Sequence, residues 1–207
     1  LGFWAEQAKR LSWATPFTEV LDWSEAPFAK WFADGTLNVA YNCVDRHVEA
    51  GNGDRVAIHW EGEPVGDARD ITYAQLKDDV SRAANALTAL GLSAGDRVAI
   101  YAANAPEYLE ALHAILWAGA VSVPVNYKLH AKELAYVLAD SGARMVLTSE
   151  ALAPAVHEAG APQPDDRIAL RPLKPALARA LGIAHRARGE DDATEATLQA
   201  LRELRER

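Results

Sequence analysis

The feature that most limits how this chain can fold is the regular alternation of strand-like and helix-like segments between about Thr36 and Gly160. Short runs rich in β-branched residues recur, and each is followed by a stretch with apolar residues at spacings of three and four. Strict alternation of strands and helices implies parallel strands joined by right-handed crossovers. We therefore predict an α/β fold in which helices flank a parallel sheet.

Local signals place the individual elements. Strands are predicted at residues 55–60, 97–101, 121–125 and 144–148, and Pro124 puts the third of these at an edge or a strand end. Thr72 and Gln75 form a capping-box pattern that opens a helix, and Gly91 ends it. That helix carries one apolar face, made of Leu76, Val80, Ala83, Leu87 and Leu90. Further helices are predicted at residues 131–140 and from 151 to 159.

A third helix is predicted after the strand at residues 97–101. Asn104 is the expected N-cap, and Pro106 and Glu107 occupy the first turn. The helix is apolar on most sides, so we expect it to be buried. The apolar residues are Leu109, Leu112, Ile115, Leu116 and Trp117.

Composition divides the chain into three parts. Residues 1–50 are expected to form an irregular strap across a larger domain, because eight Trp and Phe residues lie among the first 32. Residues 51–160 form the α/β subdomain. Residues 161–207 contain no aromatic residue and are expected to form a tail with possible helices at 173–188 and 193–205.

Charge and cysteine usage exclude several classes of protein. The net charge of −8 argues against a nucleic-acid-binding surface. The single cysteine, Cys43, permits no intramolecular disulfide and no multi-cysteine metal site, which fits a cytoplasmic setting. The most apolar stretch, residues 111–125, is interrupted and shorter than the roughly 20 residues of a membrane span. The N-terminus has no signal-peptide pattern. The chain starts without methionine, and we therefore expect it to be part of a longer gene product.

Cys43, Asp45 and His47 are the first candidates for chemistry. On a helix Cys43 and His47 would lie one turn apart, so a thiolate–imidazole pair is conceivable. The favoured interpretation is that Cys43 packs as a small apolar group in a half-buried helix. The six histidines show no metal-binding spacing, and His113 is expected to be a hydrogen-bonded core or boundary residue.

Glycine-rich phosphate loops were the next possibility. The segment 51–53 lacks the third glycine of a dinucleotide fingerprint, and no nucleoside-triphosphatase loop occurs. Residues 102–105 could present helix N–H groups to an anion, but without a glycine ordinary helix capping is favoured. The residues alone therefore predict no catalytic, cofactor-binding or metal-binding side chain.

Several segments, taken in order, resemble the start of acetyl- and propionyl-CoA synthetases in the adenylate-forming superfamily. They are residues 30–39, 41–47, 57–63 and 71–73. From about Asn104 the chain is more similar to medium-chain, long-chain or aryl-acid CoA ligases, at residues 104–108, 117–121, 123–126 and 132–138. The resemblance implies that the α/β subdomain is part of the large N-terminal domain of the adenylate-forming fold.

The resemblance also implies a function. In the intact family enzyme a carboxylic acid reacts with ATP to form an acyl-adenylate, and the acyl group then passes to CoA, with Mg²⁺ as a further cofactor. The family's Ser/Thr/Gly-rich loop ending in Pro-Lys and its catalytic lysine have no counterpart in residues 161–207, so no family site residue is carried over. We expect this portion to be inactive alone, to bind no cofactor by itself, and to have the remainder of a synthetase as its possible partner.

Alternatives remain for the tail and for the function. The tail is interpreted as outside the family, the product of a frameshift or rearrangement, or else as a helical hairpin that docks on the sheet edge. The alternative hypothesis for the function is a non-catalytic interaction module that keeps part of the synthetase fold. A free-standing nucleotide-binding domain is disfavoured, because no phosphate-binding glycine loop occurs.

Overall fold

A computed structural model describes residues 1–160 and the backbone of residues 170–172; the helices predicted at 173–188 and 193–205 lie outside this range. In chain order the elements are α1 (Gly2–Ala8), β1 (Leu21–Asp22), β2 (Lys30–Trp31), two π-type helical turns (Tyr41–Asp45 and Val48–Asn52), β3 (Val56–Glu61), β4 (Ala68–Thr72), α2 (Tyr73–Ala89), β5 (Arg97–Tyr101), α3 (Pro106–Trp117), β6 (Val121–Val125), α4 (Ala131–Ser141), β7 (Met145–Thr148), a 3₁₀ turn (Glu150–Leu152), α5 (Ala153–Ala159) and β8 (Leu170–Pro172).

The predicted parallel sheet is confirmed, with strand order β6-β5-β7-β8 and every neighbouring pair parallel. Alternate residues of β5 point to opposite faces. Val98 and Ile100 pack in one cluster with residues of α2 and α3, whereas Ala99 and Tyr101 pack in a second cluster with residues of α4 and α5. Helices therefore cover both faces of the sheet, as right-handed crossovers require.

The first predicted strand forms, but it does not join the parallel sheet. β3 pairs antiparallel with β4 in a separate two-stranded sheet, and the chain turns between them near Gly66, whose φ is +87°. β4 was not predicted, because its sequence Ala-Arg-Asp-Ile-Thr has a single large apolar residue and no clear alternation. Ala57, Ile58 and Ile71 pack against the α2–α3 cluster, so the hairpin is fastened to the core by its inner side chains.

The capping signals of α2 are confirmed. The backbone N–H of Gln75 donates to Thr72 Oγ1 at 3.3 Å, and the N–H of Thr72 donates to Gln75 Oε1 at 2.9 Å. Gly91 has a φ of +86°, the left-handed conformation that commonly ends helices. The predicted apolar face faces the core, with four of its five residues buried and Leu90 packed against them.

Two expectations for α3 were wrong. Its N-cap is Ala105, without a side-chain capping bond, instead of Asn104. Pro106 explains the difference, because a proline disfavours helical geometry in the residue before it, and Ala105 is extended with φ −156° and ψ 160°. The helix is also not fully buried, since Leu109 and Trp117 are exposed.

The N-terminal aromatic residues pack mainly on one another. Trp13, Phe17 and Phe32 contact each other with ring centroids 4.7 to 5.7 Å apart, and Trp4 lies edge-on to Trp31 at 5.9 Å. Five of the eight rings remain exposed: Phe3, Trp4, Trp23, Phe28 and Trp31.

Asn42 attaches this N-terminal segment to the rest of the chain. Its side chain is buried, accepts a hydrogen bond from Ser12 N–H at 2.8 Å and donates to Ser12 O at 2.9 Å. It also donates to Asn38 O at 3.0 Å, and Asn38 in turn donates to the carbonyl of Trp117 at 3.1 Å. Hydrogen bonds of Asn42 and Asn38 therefore link the backbone at Ser12 to the C-terminal end of α3.

Replacing Asn42 by Ala is expected to lower the free energy of unfolding by about 1–3 kcal/mol, because it leaves part-buried backbone groups of Ser12 without partners. Urea denaturation measures this loss, and hydrogen exchange should localise it to residues 10–15. Asn85→Ala on the exposed side of α2 is the matched control and should change stability by only a few tenths of a kcal/mol. Equal stabilities for the two variants would contradict the role given to Asn42.

Two buried carboxyl groups, of Glu107 and Glu110, lie where α2, α3 and β4 meet, a region called here the charged seam. Glu107 is buried and accepts a hydrogen bond from Arg69 at 3.0 Å, and the Arg69 guanidinium lies 4.7 Å from the Trp60 ring centroid. Glu110, one turn further along α3, is also buried. Burial raises the pKa of Glu110 to about 7, with Asp79 and Glu107 adding to the increase and Arg69 and Arg82 opposing it.

Glu110→Gln is expected to stabilise the chain at pH 8 more than at pH 5. The unfolded carboxyl group titrates near 4.5 and the folded one near 7, so the native chain loses stability as the pH rises between these values. The glutamine variant lacks this titration, and its advantage should be absent near pH 4 and level off above about pH 8. Urea unfolding across this pH range measures it, with exposed Glu63→Gln as control. A pH-independent difference between Glu110→Gln and the native chain would refute the assignment.

Candidate functional site

A cleft of about 240 Å³ lies where β5 and β6 end, at the edge where parallel α/β sheets commonly bind ligands. Residues after β5, the first turn of α3 and the residues that end β6 line it: Ala102, Asn104, Tyr108, Pro124, Val125, Asn126 and Tyr127. The point at which the strand order of the sheet reverses lies one strand away, between β5 and β7. From β5 the chain continues to β6 on one side of this point, and from β7 it continues to β8 on the other side. The cleft is smaller than the roughly 300–1,000 Å³ of most small-molecule sites.

The loop after β6 is held in place by two hydrogen bonds that involve side chains, besides the backbone bond from Leu129 N–H to the carbonyl of Asn126 at 3.1 Å. Tyr101, the last residue of β5, donates its hydroxyl to the carbonyl of Leu129 at 2.9 Å. Asn126 Oδ1 accepts the backbone N–H of Lys128 at 3.0 Å. The Lys128 ammonium lies 5.8 Å from the centroid of the Tyr127 ring. The loop therefore presents amide and phenol groups at the cleft, with one ammonium group beside them.

The half-buried Tyr108 is the other phenol of the cleft. Burial raises the pKa of its hydroxyl above the usual value, so the group stays protonated at neutral pH and can donate a hydrogen bond. Together with Tyr127, Asn104 and Asn126, it adds uncharged polar groups to a lining that is otherwise apolar. Such a lining can hydrogen-bond a small polar molecule but supplies no charge to a phosphate.

The start of α3 is unsuited to binding an anion. Pro106 has no N–H group, and the Glu107 carboxylate already occupies the first turn. The nearby Arg69 guanidinium already forms an ion pair with Glu107, which competes with any anion bound there. The absence of a phosphate site at residues 102–105 stays a prediction, and the capping expected there is not provided by Asn104.

The segment with Cys43, Asp45 and His47 does not form a thiolate–imidazole pair. No hydrogen bond joins Cys43 to His47, and the His47 ring lies against Tyr73 with centroids 4.9 Å apart. Cys43 is exposed, so the expectation that it packs as an apolar group was wrong. The turn at Tyr41–Asp45 is of the π type, so its residues do not follow the spacing of an α-helix. Asn42, Val44 and Asp45 are the buried residues of this turn, and Cys43 lies on its outer side.

Histidines and carboxylates do not assemble into a metal site in the part of the chain that the structure describes. His59 pairs with Asp70 at 2.6 Å on the exposed side of the hairpin. His113 is half-buried and hydrogen-bonds to Leu109 O at 2.7 Å, as expected of a boundary residue. These residues do not fit a magnesium ion. Within the same range, no helix combines the length and the apolar character that crossing a membrane requires.

Sequence reasoning missed the cleft and the charged seam. Tyr108 and Asn126 lie in segments that resemble CoA ligases, but the resemblance gave them no role, and the remaining signal for the cleft is its position just after predicted strand ends. Glu107 and Glu110 lie on a helix that was expected to be buried through its apolar residues. Their spacing of three was a usable signal, because it places both carboxylates on one face.

Comparisons with known proteins identify the chain's relatives. The profile of the acetyl-coenzyme A synthetase N-terminus matches residues 1–43, and that of the AMP-binding enzyme family matches residues 44–201. Acetyl-coenzyme A synthetase of Mycolicibacterium smegmatis is 61% identical over 173 residues, covering 79% of this chain and 18% of its own length. The Mycobacterium bovis enzyme is 62% identical over 150 residues, covering 72% and 23%. The Streptomyces avermitilis enzyme is 58% identical over 168 residues, covering 77% and 26%.

The order of these matches agrees with the order of the segments that resemble acetyl-CoA synthetases. The chain spans about a quarter or less of the length of these relatives. The family match runs to residue 201, across most of residues 161–207, and the assignment of that stretch to a tail outside the family stays a prediction. The chain belongs to the AMP-binding enzyme family and corresponds to the N-terminal portion of an adenylate-forming acyl-CoA synthetase.

Proposed function

We propose that this chain supplies the N-terminal portion of an ATP-dependent acetyl-CoA synthetase. The observation that carries the proposal is the 61% identity to an acetyl-coenzyme A synthetase over 173 residues. In the proposed reaction the carboxylate of acetate attacks the α-phosphate of ATP, and pyrophosphate leaves. The sulfur of CoA then attacks the acyl carbon of the adenylate, and AMP leaves with the formation of the thioester.

Acetate is preferred here over longer acids. Residues after about Asn104 resemble ligases of larger acids, but three relatives named acetyl-coenzyme A synthetase match over 150 residues or more. In a chain of 207 residues a match of that length must extend past Asn104. Both halves of the chain are therefore compatible with an enzyme that activates acetate.

The described residues would serve this reaction as a scaffold. Joining a carboxylate to a triphosphate requires positive charge and N–H donors directed at the phosphates. The cleft at the end of β5 and β6 has a neutral lining, and the part of the chain that is described brings no ligand set for Mg²⁺ together. The groups that bind ATP, Mg²⁺ and CoA are therefore proposed to come from the remainder of the longer enzyme.

An interaction module without catalysis is the second candidate. Its support is the set of large apolar side chains on the surface, among them Phe3, Trp23 and Phe28. Such a module would bind a partner without contributing to acetate activation. The two candidates differ in whether this sequence can replace the corresponding part of an active synthetase.

The 207-residue chain alone is expected to show no acetate-dependent exchange of pyrophosphate into ATP, because the residues that the structure describes place no positively charged donors for the phosphates in the cleft. The assay contains acetate, ATP and Mg²⁺, and the Mycolicibacterium smegmatis enzyme is the positive control. Exchange that follows the chain through repurification and scales with its concentration would contradict this expectation.

A chimera provides the positive test of the proposal. This chain replaces the matched segment of the Mycolicibacterium smegmatis enzyme, and the chimera is expected to retain kcat/KM for acetate within about tenfold, or about 1.4 kcal/mol of transition-state stabilisation. It should also prefer acetate to hexanoate. A folded chimera that makes no acetyl-adenylate would favour the interaction module.

A further inference from the structure

The two carboxyl groups of the charged seam share one guanidinium group. Glu107 and Glu110 are 5% and 7% exposed, and their spacing of three places them on one side of α3. Arg69 donates to Glu107 Oε1 at 3.0 Å, whereas Glu110 forms no ion pair with another described residue. A carboxylate without a counter-charge is costly to bury, so Glu110 fits the closed seam best in its protonated form.

The charged groups that face Glu110 belong to three elements. They are Asp79 and Arg82 on α2, Arg69 on β4 and Glu107 on α3. Arg82 already contacts Asp78 and Asp79, at 2.6 and 2.9 Å, so its charge is largely neutralised. Burial raises the pKa of Glu110 to about 7; the two neighbouring acids add to the increase, and the two arginines oppose it without cancelling it.

The β3–β4 hairpin is attached to this seam less firmly than α2 is. Its apolar contacts with the core are Ala57, Ile58 and Ile71, and all three are only partly buried. α2 and α3 instead share side chains that are fully buried, among them Val80 and Ile115. Moving the hairpin away from α3 therefore exposes less apolar surface than separating α2 from α3.

The hairpin also has a fixed end and a free end. At its base the N–H of Tyr73, the first residue of α2, donates to the carbonyl of Arg55 at 3.0 Å. Its other end is the turn at Gly66, beside the fully exposed Val65. Arg69 lies between these ends, so a rotation about the base would withdraw its guanidinium from α3 while β3 and β4 stay paired.

We propose that the charged seam is a pH-dependent fastening of the β3–β4 hairpin, which lies against α3 while Glu110 is protonated and rotates away when Glu110 gives its proton to water. Opening exposes the carboxylate to water, where its pKa returns to the ordinary value near 4.5. The open form then binds fewer protons than the closed form, so opening increases between pH 4.5 and about 7 and levels off above about pH 8. The inference goes beyond the proposed function and does not depend on it.

Thiol labelling of the 207-residue chain, without acetate, ATP or CoA, tests the proposal. In a Cys43→Ser background, Ala57→Cys and, separately, Ile71→Cys place a thiol on the inner side of the hairpin. Each rate of alkylation by iodoacetamide is divided by that of exposed Val65→Cys at the same pH, which removes the titration of the thiol itself. Both ratios are expected to rise by about tenfold or more from pH 5.5 to pH 8. Ala83→Cys, buried between α2 and α3, should react at least tenfold more slowly than either at pH 8.

Matched variants identify the group that titrates. Glu110→Gln should make both ratios independent of pH, and exposed Glu63→Gln on the hairpin should leave the dependence unchanged. Histidines ordinarily titrate in the same range, and two of them are close. His59 pairs with Asp70 on the hairpin, and His113 follows Glu110 on α3. His59→Gln and His113→Gln should both retain the dependence.

Labelling ratios that do not change with pH would overturn the proposal, as would a dependence that persists in Glu110→Gln. Labelling of Ala83→Cys as fast as that of Ala57→Cys at pH 8 would also overturn it, because the helices would then separate together with the hairpin. Loss of the dependence in His59→Gln or His113→Gln would assign the effect to a histidine and would refute the role given to Glu110.

Discussion

The burial of β5 on both of its faces is the constraint on which the rest of the structure depends. Residues from Val98 to Tyr101 are all buried, and they alternate between the cluster beneath α2 and α3 and the cluster beneath α4 and α5. β5 also pairs with β6 on one side and β7 on the other. The position of each helix, and of the cleft where β5 and β6 end, therefore follows from one strand. A polar residue within it would disturb both layers at once.

The β3–β4 hairpin is joined to this core by chemistry of a different kind. Ala57, Ile58 and Ile71 supply apolar contact, but the Arg69–Glu107 ion pair fixes the hairpin to one position on α3. Glu107 is buried, so the negative charge of its carboxylate would be buried without a counter-charge if the Arg69 guanidinium were removed. The neighbouring Glu110 forms no ion pair with another described residue, and burial raises its pKa to about 7. Two carboxylates one turn apart thus differ in environment, and the arginine on β4 accounts for the difference.

Features that depend on neighbours in sequence could be predicted, and features that depend on distant contacts could not. The Thr72–Gln75 capping box and the left-handed Gly91 after α2 are local, and both form as expected. β4 exists because β3 lies beside it, which its own residues do not indicate. The exposure of Trp117 depends on which side of α3 meets α2, and a helix apolar on several sides leaves that choice open. The cleft has no motif because two separate strands must end side by side to create it.

The difference between the inner core and the outer surface shows how this chain relates to a larger enzyme. Among the described residues, the clusters around β5 are formed by side chains between Val44 and Ala159. Other large apolar side chains, among them Trp23, Phe28 and Trp117, are exposed, which is unfavourable in proportion to their area. In a longer synthetase, polypeptide that covers these side chains would remove this cost, whereas the side chains of the two clusters are buried already.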